Sequence, residues 1–116
     1  MQAAWERLSL ALGELTTAAP IKQRLVDAFE KHLEELDTAQ LPQSVRQDFA
    51  ELVDRLSQVP GGRAESCAHA TVRKMSNQDA EACCALVVHM LVTLHREALI
   101  SAGPAAEVVP LRAAEG

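Results

Sequence analysis

The side chains of this chain best suited to nucleophilic or metal chemistry are Cys67, Cys83 and Cys84 together with His32, His69, His89 and His95. Two metal donors on one helix converge only when they stand three or four residues apart. These residues miss that spacing. Cys84 and His89 are five apart, Cys83 and His89 six, His89 and His95 six, and Cys67 and His69 two. No C-x-x-C, H-E-x-x-H or E-x-x-H pattern occurs. A metal site would have to draw single donors from different helices, with Cys67, Cys83 and His89 as the set. No nucleophile elbow, paired carboxylates or serine–histidine–aspartate order is recognisable either. No catalytic, cofactor-binding or metal-ligating residue is therefore assigned.

The thiols divide by setting. Cys83 and Cys84 fall among apolar neighbours, two turns inside a helical stretch, where free cysteine behaves as a small hydrophobe. A reactive thiolate needs an electropositive, accessible place or a helix N-terminus. Cys67 comes closer to that description, following Gly61, Gly62 and Arg63, with His69 near it in sequence but on another face. The same two glycines at a helix start invite an anion, yet they also serve merely to turn the chain after Pro60. Arg63, Arg73, Lys74 and Arg96 are expected to gather in part near a corner between two helices, as solvated charges or as a docking point for an acidic partner. His32 with Glu35 reads as a surface pair, His95 sits where a helix dipole favours a cation, and His89 reads as a core or interface histidine.

Charge excludes some functions. The chain carries a formal net charge of −5, so a phosphate backbone is repelled on average and direct nucleic-acid binding is not expected. Glu30, Glu34, Glu35 and Asp37 outweigh Lys31 and read as a solvated helix face, with a basic partner as the other use. Three cysteines, an odd number with two adjacent, suit reduced thiols in the cytoplasm. Glu6 and Arg7 interrupt any apolar leader at the start. The uncharged run of residues 82–94 is shorter than the roughly 20 residues that span a bilayer, and it contains His89. A soluble cytoplasmic protein without membrane attachment is expected.

Whatever the chain does must be positioned by helices. Its 116 residues suit one domain, and its abundant Ala and Leu, with Trp5, Phe29 and Phe49 the only Trp, Tyr or Phe residues, favour helix over strand. Trp5, Leu8, Leu12 and Leu15 share a face of a helix over residues 3–16. Ile21, Leu25, Ala28, Phe29, Leu33 and Leu36 share one over 20–36, with Asp27 and Lys31 spaced as a surface pair. Val45, Phe49, Leu52, Val53 and Leu56 define a third helix over 42–58, stopped by Pro60, Gly61 and Gly62. A weaker stripe of Ala64, Ala68, Val72 and Met75 marks residues 63–75. Ser76 with Asp79 resembles a capping box, flanked by Met75 and Ala80 as a hydrophobic staple, and opens the last helix, which runs to about residue 101.

That last helix governs the expected architecture. From Ala82 to Leu94 it has no Asp, Glu, Lys or Arg, and a helix apolar all round should be sheathed by other helices, within the chain or across an oligomer interface. The fold class is therefore all-α: a compact bundle of five helices around a buried C-terminal helix, with connections at 17–19, 37–42, 59–63 and 75–76. Residues 1–102 form the bundle domain, and 103–116 an extended or disordered C-terminal tail. The expected function is a small, non-catalytic protein–protein interaction or regulatory domain. The alternative is a small enzyme or metal-dependent sensor using Cys67, His69 or His89 from different helices. An apolar strip left uncovered would mark the partner site, expected on the flank of Ala85, His89, Val92 and Arg96, against another protein or a second copy in a homodimer.

Overall fold

The computed structural model of the chain describes residues 2–102, and the tail expected at 103–116 lies outside the described residues. Five α-helices follow one another: α1 (Gln2–Leu15), α2 (Ile21–Ala28), α3 (Gln43–Arg55), α4 (Cys67–Lys74) and α5 (Asn77–Ala102). A π-helical turn, Phe29–Leu33, extends α2, and a 3-10 turn, Thr38–Gln40, lies before α3. No strand occurs among the described residues. The all-α bundle of five helices is thus the observed architecture.

In α1 the buried stripe is Ala4, Leu8, Ala11 and Leu15, one step round from the one the sequence suggests. Trp5 consequently lies at the edge, 36% exposed. Two alanines in the stripe let neighbouring helices approach closely, which larger side chains would prevent. Arg24 then holds the turn into α2: its Nε donates to Ala19 O at 2.8 Å and its Nη1 to Leu15 O at 2.9 Å. Carbonyls left unpaired at a helix end are satisfied this way without water.

Leu25, Ala28, Phe29, Leu33 and Leu36 are all buried as their spacing indicates, but the helix that carries them is not uniform. Glu34 N–H bonds to Phe29 O, five residues back, at 2.8 Å. Leu25, Phe29 and Leu33 recur every four residues, which drifts around an α-helix of 3.6 residues per turn; one wider turn takes up the drift. The widened turn also repositions its polar groups. His32 O accepts from Arg7 Nη1 at 3.3 Å, and His32 Nε2 meets Glu14 Oε2 at 3.0 Å, so His32 reaches α1 instead of Glu35. Asp27 likewise accepts from Gln23 at 2.9 Å rather than pairing with Lys31.

α4 begins later than its stripe suggests. Gly62 N–H closes a turn onto Glu65 O at 2.8 Å, and Ser66 Oγ caps the helix by accepting His69 N–H at 3.0 Å. Ser66 also donates to the Glu30 carboxylate, tying the cap to the π turn. A Cβ at Gly61 would run into Glu65 O and the Ser66–Cys67 peptide, so the close approach there demands glycine. Ala64 therefore lies exposed before the helix. Buried Thr71 is fully engaged, accepting from Val59 N–H at 2.9 Å and facing Val59 O at 3.4 Å. Ser76 caps α5 as its sequence indicates, its Oγ accepting Asp79 N–H at 3.0 Å.

Within the chain α5 is sheathed on one side only, so full enclosure by its own helices is not what the structure has. Ala80, Cys83, Val87, Met90 and Leu94 form one buried stripe, while Ala82, Ala85, Val88, His89 and Val92 face water. α1, α2 and α3 pack against that stripe. α4 is only 8 residues long and sets itself against α2, so the fourth side of α5 stays open. By length and composition Asn77–Ile100 is apolar enough to cross a membrane, and 22% of its span is buried inside the bundle. It is an amphipathic helix with one face sealed by protein and a second apolar face left over.

Truncation distinguishes the two faces. Met90→Ala is expected to lower unfolding free energy by about 2–5 kcal/mol, since a fully buried side chain leaves a cavity. Val92→Ala, at an exposed position, should change it by under about 0.5 kcal/mol in the same urea titration. Equal losses would mean that α5 is enclosed after all.

Candidate interaction surface

A helix advancing 3.6 residues per turn gathers Glu81, Ala85, Val88, Val92, Arg96 and Leu99 on one side, with His89 and His95 along its borders. All eight are exposed. Val88 is 41% exposed, Val92 47% and Leu99 59%. Ala85, His89, Val92 and Arg96, the residues singled out by sequence, thus do share an exposed face. The other flank, Leu86, Met90, Thr93 and Glu97, turns toward the bundle, with Met90 buried and the rest half-buried.

Both borders of the face are fixed. On the α3 side, His89 Nδ1 lies 2.7 Å from Asp48 Oδ2. On the α1 side, the His95 ring stacks on Trp5 with centroids 5.6 Å apart and planes inclined by 29°. A hydrogen bond and a stacked ring therefore frame the apolar centre and tie it to the two neighbouring helices. Asp48, Trp5, Val88, Leu99 and Glu81 complete the surface, and sequence reasoning passed over them. The repeat of 85, 88, 92 and 99 carried the signal, since it is a second heptad-like stripe opposite the buried one.

The residues considered for chemistry are dispersed. Cys83 is buried and Cys84 half-buried, and in both desolvation pushes the thiol above its ordinary value, which leaves it protonated and a poor nucleophile. Cys67 is exposed on the rim of an open cleft of about 760 Å³ whose floor includes Phe29, Phe49 and Leu56. His69 is occupied by Glu65, Nδ1 to Oε2 at 2.8 Å, and Arg73 binds the same carboxylate through Nε at 2.8 Å and Nη2 at 2.9 Å. Among the described residues no three His, Cys, Asp or Glu side chains converge on a metal position.

A second cleft of about 600 Å³ is lined by Asp54, Arg55, Thr71, Lys74, Asp79 and Cys83 among others. Its charges alternate in sign, and Arg55 is already held by Glu51 at 2.7 Å, so it presents no concentrated field. Two of the four basic residues add no free charge to the corner. Arg73 is neutralised by Glu65, and Arg96 lies roughly 28 Å along α5 from Asn77 at 1.5 Å per residue. The anion site at Gly61 and Gly62 fails similarly, because Gly62 N–H is spent on Glu65 O.

Glu65 yields a pH test. Its hydrogen bonds to Arg73 and then to His69 hold its carboxyl down at about 2. An acid bound more weakly by protons in the folded state stabilises the fold above its ordinary range, near 4.5, and loses that contribution as pH falls through the folded value. In urea titrations the stability gap between wild type and Glu65→Gln should be constant above about pH 5 and should shrink toward about pH 2. A gap that does not change with pH would show that the pairing is absent in solution.

No protein-family model, curated protein or solved structure matches the chain.

Proposed function

We propose that this chain is a small, non-catalytic protein–protein interaction or regulatory domain of the cytoplasm, and that it docks through the outer face of α5. The supporting observation is the apolar centre of Ala85, Val88, Val92 and Leu99, exposed on a helix whose opposite stripe is sealed. Scattered exposed hydrophobes are ordinary, but a contiguous strip rimmed by polar side chains is the composition of an interface centre. Glu81, His89 and Arg96 at its rim favour a protein partner over the hydrocarbon of a membrane, where each charge would be expensive. The overall charge of −5 and the single Arg on this face disfavour nucleic acid.

The alternative, a small enzyme or metal-dependent sensor, receives no support from the side-chain geometry. His69 faces Glu65 and His89 faces Asp48, on different elements, and among the described residues no three His, Cys, Asp or Glu side chains converge. The free cysteines, two of them withdrawn from water, are compatible with a reducing compartment.

Tagged wild-type and Val92→Glu chains, expressed in the native host alongside an untagged copy, provide the test. Quantitative mass spectrometry of the captured material should show the proteins retained by wild type, whether foreign or the untagged copy, falling about tenfold or more with the variant, the factor that 1.4 kcal/mol carries. Circular dichroism should find the variant equally folded, since the position is exposed. An identical captured set for the two baits would overturn the reading.

A further inference from the structure

We infer that the outer face of α5 is a self-association surface, on which a second copy of this chain lays its own α5 antiparallel across a two-fold axis passing between Val88 and His89. This rests on the reading of that face as a docking surface and commits it to one occupant. A two-fold interface presents the same patch on both sides, so the patch must be complementary to itself. Most surfaces are not. Here Glu81 and Arg96 stand equally far from the point midway between Val88 and His89, one on each side of it, and so do Ala85 and Val92.

An antiparallel two-fold about that point therefore sets Glu81 against the partner's Arg96 and Arg96 against the partner's Glu81. Both are exposed, and neither forms an ion pair among the described residues. The same operation brings the small Ala85 opposite the partner's Val92, a branched side chain into a hollow, with Val88 near the axis. Helix dipoles also run in opposite senses. A parallel arrangement would instead oppose Glu81 to Glu81 and Arg96 to Arg96. A foreign partner would require no such symmetry between the two halves of the face. The match of charge to opposite charge, and of small to branched, about a single point is what selects a second copy.

Sedimentation equilibrium on the full chain over a wide concentration range tests this. Wild type should dimerise. Glu81→Arg and Arg96→Glu should each weaken the dimer about tenfold or more, because like charges then face each other twice. An equimolar mixture of those two single variants should recover wild-type affinity, as should the double variant Glu81→Arg with Arg96→Glu, which also shows that the chains remain folded. A wild type that stays monomeric throughout overturns the inference, and so does a dimer indifferent to the single charge reversals. Neither result touches the docking face itself, which stands or falls on whether Val92→Glu changes what is captured.

Discussion

Along one side of α5, the side chains of Ala80, Cys83, Val87, Met90 and Leu94 are withdrawn from water, and α1, α2 and α3 all pack against that helix. Removing this stripe would leave α3 without the surface it packs on and α1 and α2 with each other. Its dimensions also limit what the bundle can cover. α5 has 26 residues and spans roughly 39 Å, whereas α1 and α3, with 14 and 13, each reach roughly 20 Å. Neither can follow α5 from end to end. Leu99 and Ile100 are left exposed beyond them.

Around this apolar contact the connections are fixed by polar groups that finish what helices leave unpaired. Arg24 takes the carbonyls at the end of α1, Arg7 takes the His32 carbonyl in the π turn, and Thr71 satisfies the chain leaving α3. These contacts join segments distant in sequence, so they hold only when the helices are already docked. Burial of apolar surface supplies the drive, and the hydrogen bonds select one arrangement among the many a greasy bundle could adopt.

Helices announced themselves through periodicity, because apolar residues at three- and four-residue steps have no other economical use in a chain rich in Ala and Leu. Pro20, Pro42 and Ser76 marked starts through fixed dihedral angles or a side-chain cap. The start of α4 was hidden, since the turn that delays it depends on Gly61 meeting the backbone at residues 65–67, a contact made only on folding. Inside α5 the absence of charge suggests burial, but the two are different properties. An exposed Ala offers water little more than a methyl group, and more than half of a folded protein's surface is apolar. Ala82 and Ala85 therefore sit in solvent at small cost, and the flank of His89 and Val92 was legible as a strip open to a partner, while its extent through Val88 and Leu99 was not.

The make-up of the outer face bears on how well it would bind. Docking loses the freedom of every side chain it immobilises, and long flexible residues lose most. Ala85 has no side-chain rotamers to lose, and Val88 and Val92 are β-branched, which confines them in a helix to one preferred rotamer. His89 is already held by Asp48 and His95 by Trp5. The centre and both borders are thus ordered before any partner arrives, leaving Glu81, Arg96 and Leu99 as the mobile members. A face composed this way retains more of its contact energy as affinity than an equal area of Leu, Met and Lys would. It also accounts for a helix that is short of charge and yet half in water: the residues economical to expose are the same ones that are economical to cover.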